Sequence, residues 1–360
     1  MRTLTRLGFA LLVLAAAPVA CAQEQSEVEY YRQLALQNQI AQAEQQAEPQ
    51  AEQSAVRYAR QVDCETPPTG AFVVIPQYFN SRNSSAKGKV GSTRLKLEKG
   101  RANGAGVTVA FNKKVNDVFS FGLMYEYAFM SVRGGMAFPE SANVMARERS
   151  RWHSHVVGFL PEFNFGQFGK LQLSVIQGFD RANGSESIYP GGNRQRRDIN
   201  DYGTNVTSLM AWYEKDFELG CGTGWKLTPY AGWRSLYVDV KDGNDWASAP
   251  GAKNDDNLWV HLVSGGVKVG YECGPFGLNF RGGVSHRTTH DDVPGYGNRA
   301  VAPGVVHFSH KANFDKTVGT VGAGISYAAH KRLVVSVGYD GFFGSDTSAH
   351  MGSLVFGIPF

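Results

Sequence analysis

The chain ends in Leu354-Val355-Phe356-Gly357-Ile358-Pro359-Phe360, and this stretch decides the fold. Its first, third, fifth and seventh residues are large and apolar, whereas Gly357 and two smaller residues lie between them. Successive side chains of a β-strand point to opposite faces, so the pattern predicts a strand with one strongly apolar face. The sequence therefore predicts that the chain ends in a β-strand whose last residue is aromatic.

The same alternation recurs upstream, back to residue 71. Residues 119–129 and 333–339 each present large apolar side chains on one face and small or polar ones on the other. The polar face also carries isolated charges, namely Glu126, Glu162, Lys268, Arg281 and Asp340. We predict strands near residues 71–80, 104–113, 117–130, 150–164, 169–182, 201–218, 225–240, 257–272, 276–289, 314–328, 332–344 and 348–360.

The links between these strands alternate in length. The tight links are 114–116, 165–168, 219–224, 273–275 and 329–331, and the long ones are 81–103, 131–149, 183–200, 241–256 and 290–313. Short turns at one end and long loops at the other are typical of outer-membrane barrels. The sequence thus predicts an all-β fold, a closed antiparallel transmembrane barrel of about twelve strands over residues 71–360. An even number of strands places both termini on the side of the tight turns.

Aromatic residues cluster near the predicted strand ends, where they would form the two interfacial girdles of such a barrel. Near the tight turns these are Phe163, Phe217, Trp225, Tyr271, Phe276 and Tyr327, and near the long loops Tyr78, Phe129, Trp152 and Trp259.

Composition excludes several other classes of protein. The mean hydropathy is -0.27, and no apolar run after Ala22 approaches the roughly 20 residues of a spanning helix. The 42% of hydrophobic residues is too high for a disordered chain, and four cysteines in 360 residues are too few for a disulfide-dense scaffold. The formal net charge of +4 is too small for a typical nucleic-acid binder.

The first 22 residues have the pattern of a secretory signal peptide. Arg2 and Arg6 form a basic start, an apolar stretch follows, and Ala20-Cys21-Ala22 offers small residues at a cleavage site. Alternatively, the same residues are the signal of a lipoprotein, in which Cys21 would carry the lipid. The sequence therefore predicts an exported protein whose mature chain begins at Gln23.

Residues 23–62 differ from the rest of the chain. They are rich in Gln and Ala, and apolar residues recur every three or four positions from Leu36 through Ile40 to Val62. This spacing predicts a thin amphipathic, coiled-coil-like helix, kinked at Pro49. It would lie either in the periplasm or inside a wet lumen; the remaining alternative is that the segment is disordered. Residues 63–70, with Thr66-Pro67-Pro68-Thr69-Gly70, are predicted to be a linker.

The terminal pattern of Leu354, Phe356, Ile358 and Phe360 resembles the C-terminal β-signal of Gram-negative outer-membrane proteins. This resemblance implies a bacterial outer-membrane location and recognition by the barrel-assembly machinery. Twelve strands preceded by a helix are similar to autotransporter translocator barrels, and this resemblance covers residues 26–360. It departs from the family in that residues 23–62 are too few and too polar to form a secreted passenger domain.

Few residues suggest chemistry. His153-Ser154-His155 contains the residue types of a membrane hydrolase, but neighbouring strand residues point to opposite faces, so Ser154 cannot simply pair with either histidine. The group His290-Asp291-Asp292, with His286, resembles a protease or weak metal site only loosely. No Walker loop, zinc-type spacing or Rossmann glycine pattern is present. We expect no enzyme activity, no cofactor and no nucleic-acid partner.

Cysteines and basic residues give two further predictions. Cys221 and Cys273 lie in tight turns and could form a disulfide, with Cys64 as a rival partner.

Basic residues gather in two long loops: Lys87, Lys89, Arg94, Lys96, Arg194, Arg196 and Arg197. They would contact outer-membrane lipid and lipopolysaccharide or steer anionic solutes toward a pore.

Three functions follow from these patterns. The first is a porin-like barrel for passive transport of small solutes. The second is an envelope scaffold or autotransporter-like barrel whose N-terminal helix plugs the lumen, self-associates or binds periplasmic partners. The third, an outer-membrane lipid hydrolase, has the least support.

Overall fold

The computed structural model describes the chain from residue 69 onward, with short gaps. The described residues are 69–83, 86–90, 93–97, 101–137, 145–188, 195–220, 224–241, 257–289, 293–301, 304–312, 316–330, 333–345 and 347–360. The predicted signal peptide, the Gln/Ala-rich helix and most of the linker lie outside them. No helix in the described part is long and apolar enough to cross a membrane.

The described residues contain seventeen β-strands. The first eight are β1 (Gly70–Asn83), β2 (Ala86–Val90), β3 (Thr93–Leu97), β4 (Arg101–Lys114), β5 (Phe119–Ala137), β6 (Met145–Asn164), β7 (Lys170–Ile188) and β8 (Gln195–Glu214). The others are β9 (Phe217–Glu218), β10 (Trp225–Lys241), β11 (Asn257–Cys273), β12 (Phe276–Arg287), β13 (Val293–Val301), β14 (Gly304–Ala312), β15 (Thr317–His330), β16 (Leu333–Phe343) and β17 (Thr347–Pro359).

Twelve of these strands close into one antiparallel barrel. Neighbours in the chain pair in the order β1, β4, β5, β6, β7, β8, β10, β11, β12, β15, β16 and β17. The ring closes where β1 pairs with β17, for example Val73 opposite Gly357 and Arg82 opposite Ser348. Closure gives every strand two neighbours and leaves no edge, which a lipid environment requires. The predicted closed barrel of twelve strands is confirmed.

The two ends of the barrel differ, as the link lengths predict. At the turn end, the tight turns join β4 to β5, β6 to β7, β11 to β12 and β15 to β16. Asn116 shapes the first of these, because its side-chain oxygen accepts bonds from the backbone N–H groups of Val118 and Phe119 at 2.9 and 2.7 Å. At the loop end, two of the predicted long links contain further strands. The hairpin β2–β3 lies in the link 81–103 and joins β5, while β13–β14 in the link 290–313 forms its own sheet.

Side chains alternate between the two faces of the wall. In β1, Val73 and Ile75 are buried toward the lumen, whereas Phe72 and Tyr78 are exposed on the outer surface. Large apolar residues thus cover the outside, and small, polar or charged residues line much of the inside. The prediction for Trp152 was wrong: its side chain is only 2% exposed and has the inward position of β6. Its neighbours His153 and His155 have the outward positions.

Aromatic pairs mark the turn end of the outer surface. Ring centroids are 5.3 Å apart for Phe119 and Phe163, 4.7 Å for Trp225 and Tyr271, and 4.9 Å for Phe276 and Tyr327. Such cross-strand pairs stabilise a sheet by roughly 0.2–1 kcal/mol each and form the girdle expected at a membrane interface.

The chain's last residue completes the seam. The ring of Phe360 stacks on Phe111 with centroids 5.7 Å apart, and its backbone carbonyl accepts hydrogen bonds from Thr69 and Gly70. The outward positions of Leu354, Phe356, Ile358 and Phe360 agree with their predicted alternation.

Candidate functional site: the barrel lumen

The inner wall of the barrel carries ion pairs and a cluster of buried apolar residues. Its wall divides into two regions of different chemistry. One, which we call the charged sector, is formed by Glu214, Lys226, Lys268, Glu272, Arg281 and Asp340. The other, which we call the seam patch, is formed by Ala71, Val73, Ile75, Ala110, Ala328, Val334 and Val355.

Two cations of the charged sector lie directly opposite each other. Lys268 on β11 pairs in register with Arg281 on β12, which would be unfavourable if both charges remained together. Each side chain instead turns away toward an acid two strands distant. Lys268 Nζ lies 2.7 Å from Glu214 Oε2 on β8, and Arg281 binds Asp340 on β16. Together the two ion pairs extend over six neighbouring strands of the inner wall, from β8 to β16.

A glycine makes the Arg281–Asp340 pair sterically feasible. Gly322 of β15 lies between β12 and β16, in register with both Arg281 and Asp340. A Cβ atom at this position would overlap the Arg281 side chain and approach the Asp340 carboxylate. The guanidinium therefore crosses the wall over a residue without a side chain.

An aromatic pair lies beside the Lys268–Glu214 pair. Trp212 and Tyr230 stack with ring centroids 4.6 Å apart and an interplanar angle of 21°. Lys268 Nζ lies 5.9 and 5.5 Å from the two ring centroids, which is cation–π distance. The Tyr230 hydroxyl lies directly over Gly283, where a Cβ atom would overlap it. A small recess lies beside this pair, with Arg234, Ser264 and Thr320 in its lining.

Further polar contacts line the wall on both sides of this core. Lys226 Nζ lies 3.1 Å from Glu272 Oε2, and Thr228 donates to Asp216 at 2.6 Å. On the opposite wall, the buried Glu126 carboxylate accepts a hydrogen bond of 2.8 Å from Thr108. The buried members of this set, Thr108, Glu126 and Thr228, each have a hydrogen-bond partner, as most buried polar groups do.

The seam patch consists of apolar side chains, which form no ion pairs or side-chain hydrogen bonds. Its members lie on β1, β4, β15, β16 and β17, beside the closing β1–β17 pairing and toward the turn end. Val73 is 0% exposed, and Val334 and Val355 are each 1% exposed. On the far wall, Leu236 of β10 is also 0% exposed. The inner wall is thus closed to water at apolar positions on both sides of the barrel.

The structure separates the residues of the predicted hydrolase motif. Ser154 is buried toward the lumen, whereas His155 and His153 lie on the outer surface. There Nδ1 of His155 lies 2.9 Å from the Tyr125 hydroxyl, and Nδ1 of His153 lies 2.8 Å from that of Tyr127. No Ser–His pair forms at this motif.

The other predicted site residues lie mostly in or beside the long loops. Lys87, Lys89, Arg94 and Lys96 fall on the hairpin β2–β3, where Lys87 is in register with Lys96 and Lys89 with Arg94. Arg196 and Arg197 begin β8, whereas Arg194 and residues 290–292 lie outside the described residues. Among the described residues, no group of three or more His, Cys, Asp or Glu could hold a metal ion.

The predicted disulfide remains a prediction. Cys273 is exposed at the turn end and forms no disulfide with any described residue. Its candidate partners, Cys221 and Cys64, lie outside the described part of the chain.

Sequence patterns identified Lys268, Arg281 and Asp340 as lumen-facing, but neither the other three charges of the sector nor the pairing. Arg281 and Asp340 are 59 residues apart, and Lys268 and Glu214 are 54 apart. The isolated glycine Gly322, inside a strand pattern, was the available signal for a close approach of this kind.

The fold and its lumen define the class of protein: an integral β-barrel of the bacterial outer membrane, apolar outside and polar or filled within. A family model places it more closely. The autotransporter β-domain model matches residues 77–340, which is more than half of the chain. The chain belongs to the autotransporter β-domain family.

Solved translocator barrels share the fold. The translocator domain of autotransporter NalP from Neisseria meningitidis is similar with a TM-score of 0.56 and 15% identity, over 90% of this chain and 98% of that one. The transport unit of AIDA-I from Escherichia coli gives 0.53 and 13%, over 87% and 99%. The β domain of Bordetella BrkA gives 0.52 and 14%, over 81% and 100%. No curated protein matches the sequence.

Proposed function

We propose that this protein is a translocator-type barrel whose lumen holds polypeptide, and that residues 23–62 of its own chain are that polypeptide. One observation carries the proposal: apolar lumen-facing residues such as Val73, Leu236 and Val355 are at most 1% exposed. In an open, water-filled pore, wall residues on both sides would be wet. A lumen occupied along its length accounts for their burial.

The chemistry of the two lumen regions suits such an occupant. The seam patch is apolar and gains stability only when something apolar excludes water from it. Residues 23–62 offer a thin stripe that includes Leu36 and Ile40, with Gln and Glu on the other sides. A helix with its stripe on the seam patch would turn these amide and acid groups toward the charged sector. Both surfaces would then be satisfied together.

We propose that the turn end faces the periplasm, with both termini there, after cleavage of residues 1–22. The even number of barrel strands and the short turns support this orientation. The loop end, with the hairpins β2–β3 and β13–β14, would then face the outside. The outward apolar positions of β17 support its recognition by the barrel-assembly machinery.

Conductance in planar bilayers tests the proposal. We expect the mature chain to show little or no steady current, and the same chain lacking residues 23–62 to show a stable channel. A control that replaces this segment by a Gly/Ser linker of equal length should behave like the deletion, because such a linker has no apolar stripe. Equal current with and without the segment would contradict the proposal.

A second function, porin-like passage of small solutes, is supported by the charged sector. Paired cations and acids on an inner wall keep part of the lumen hydrophilic. This function predicts a steady current from the mature chain with all residues present. The same bilayer experiment therefore separates the two.

A further inference from the structure

Arginines gather on one outer side of the barrel, near the loop end. Arg82 on β1 lies directly opposite Arg101 on β4, and Arg101 lies directly opposite Arg133 on β5. All three are exposed and have outward positions. The row continues by register from Arg133 to Arg149 on β6. Like charges directly opposite each other on a sheet are destabilising unless something between them is negative.

Two more exposed arginines extend this row. Arg151 on β6 and Arg181 on β7 both have outward positions, and Arg181 is in register with His153. We call Arg82, Arg101, Arg133, Arg151 and Arg181 the arginine patch. Within the described residues, none of its members has an ion-pair partner, and no outward position of β1 or β4 to β7 carries an acid.

The height of the patch on the barrel points to its ligand. Arg82 and Arg101 lie ten residues toward the loop end from Phe72 and Phe111, on the same outer face. Ten residues at about 3.3 Å each, tilted by roughly 40°, rise about 25 Å. That is about the height of the apolar band of an outer-membrane barrel. The guanidinium groups therefore lie where lipid hydrocarbon gives way to headgroups.

Four other strands of the barrel have different outward residues at this height. On β10 and β11, the outward residues are Tyr237, Trp259 and His261, which stack on one another. On β16 and β17, Phe343 and His350 form a ring pair with centroids 5.5 Å apart. These are the aromatic residues of an ordinary interfacial girdle. The arginine patch is thus a local feature of β1 and β4 to β7.

We propose that the arginine patch binds the phosphate groups of phosphorylated lipid headgroups in the outer leaflet. Arginine presents a planar fork of donors that matches phosphate oxygens in pairs, which suits it to this chemistry better than lysine. Neighbouring strands are about 4.8 Å apart, so the row presents successive guanidinium groups to one headgroup or to adjacent ones. The proposal rests on the orientation given under the proposed function, with the loop end outward.

Lipid binding by the purified full chain tests this directly. The mature protein is placed in phosphatidylcholine nanodiscs that contain a minor fraction of a bisphosphorylated glucosamine lipid, or of a matched glycolipid without phosphate. Native mass spectrometry after detergent exchange then counts the retained lipid. We expect the phosphorylated lipid to be retained at least about tenfold better. We expect Arg101→Gln with Arg133→Gln to lower its apparent affinity by about tenfold or more, since charge-assisted bonds to both are lost.

Matched variants separate the site from net charge. Lys113→Gln with Lys215→Gln removes the same charge at the turn end and should leave lipid retention unchanged. Arg101→Lys with Arg133→Lys keeps the charge and should bind at an intermediate level. Heat-modifiable migration on a gel confirms that every variant is folded.

Three results would overturn the proposal. The first is equal retention of both lipids, and the second is an equal loss of lipid retention in the double arginine variant and the double lysine variant. The third is complete displacement of the lipid by inorganic phosphate or by a soluble anionic polysaccharide. The last would indicate a soluble partner instead. None of these results depends on channel conductance, so failure here and failure of the proposed function remain distinct.

Discussion

The seam patch and the charged sector face the same lumen but reach stability in different ways. In the charged sector, Lys268 and Arg281 each form an ion pair with an acid on the same inner wall. In the seam patch, Val73 and Val355 belong to a cluster of buried apolar residues, whose burial is favourable only when water is kept away. The charged sector therefore pairs its charges within the barrel, whereas the seam patch gains stability from whatever keeps water away from it. Any segment that occupies the lumen should be held mainly by the seam patch.

The largest expected effect is on the charged sector. Asp340→Asn leaves Arg281 buried beside Lys268 without its acid, and removal of one member of such a pair costs about 3 kcal/mol. We expect this loss in the free energy of unfolding from lipid vesicles, measured by urea titration of tryptophan fluorescence. The control is Asp239→Asn at the loop end on the outer face, which should change stability little. An unaltered urea midpoint for Asp340→Asn would show that the charged sector is not a stabilising network.

The next effect tests the cover of the seam patch. Val73→Asp places a carboxyl group at a position closed to water, and even its protonated form costs about 2 kcal/mol there if the lumen segment stays in place. We expect the lumen segment to leave instead, so that the variant conducts in a planar bilayer where the parent does not. Ser353→Asp is the matched control, because it adds the same charge at a lumen-facing position that is already polar. Identical currents from both variants would mean that the seam patch does not bind the lumen segment.

A smaller effect is expected at Gly322. Ala at this position adds a Cβ atom against the Arg281 side chain, and such overpacking costs about 1.5 kcal/mol. Gly352→Ala is the control, since a Cβ atom there meets nothing within 4 Å. The difference should appear in the same urea titration. Gly322→Ala combined with Asp340→Asn should lose less than the sum of the two, because both disturb one ion pair.

Much of the barrel follows from local sequence pattern. Alternation along the last strand, with Phe356 and Phe360 on one face, required only the two-residue period of a strand. The tight turns were equally visible, because glycine, asparagine and aspartate interrupt the apolar pattern there. The closing of β1 on β17 was then forced, since an unpaired edge cannot remain in lipid.

The contents of the lumen were less visible in the sequence. Trp152 was assigned to a girdle because it lies near a strand end, but its even position in β6 directs it inward. The pairing of Arg281 with Asp340 depends on strand neighbours that are far apart in the chain, and the sequence alone does not fix which side chains turn toward each other. Strands inside the long links, such as β13, were also missed, because their pattern is weak.

The smallest expected effect lies outside the membrane, in the turn between β4 and β5. The Lys114 ammonium donates a hydrogen bond of 2.5 Å to Asp117, and this bond and its charge lower the pKa of the Asp117 carboxyl. A lowered pKa in the folded state contributes stability above the ordinary aspartate pKa, and this is lost as pH falls through the lowered value. Because Asp117 is fully exposed, we expect Asp117→Asn to change the urea midpoint only slightly at neutral pH and not at all in strong acid. Lys114→Gln should remove the same pH dependence, since it deletes the other partner. If the two variants differ in their pH profiles, Asp117 has a stabilising contact other than Lys114, and the turn would then contribute more to the barrel than its exposure indicates.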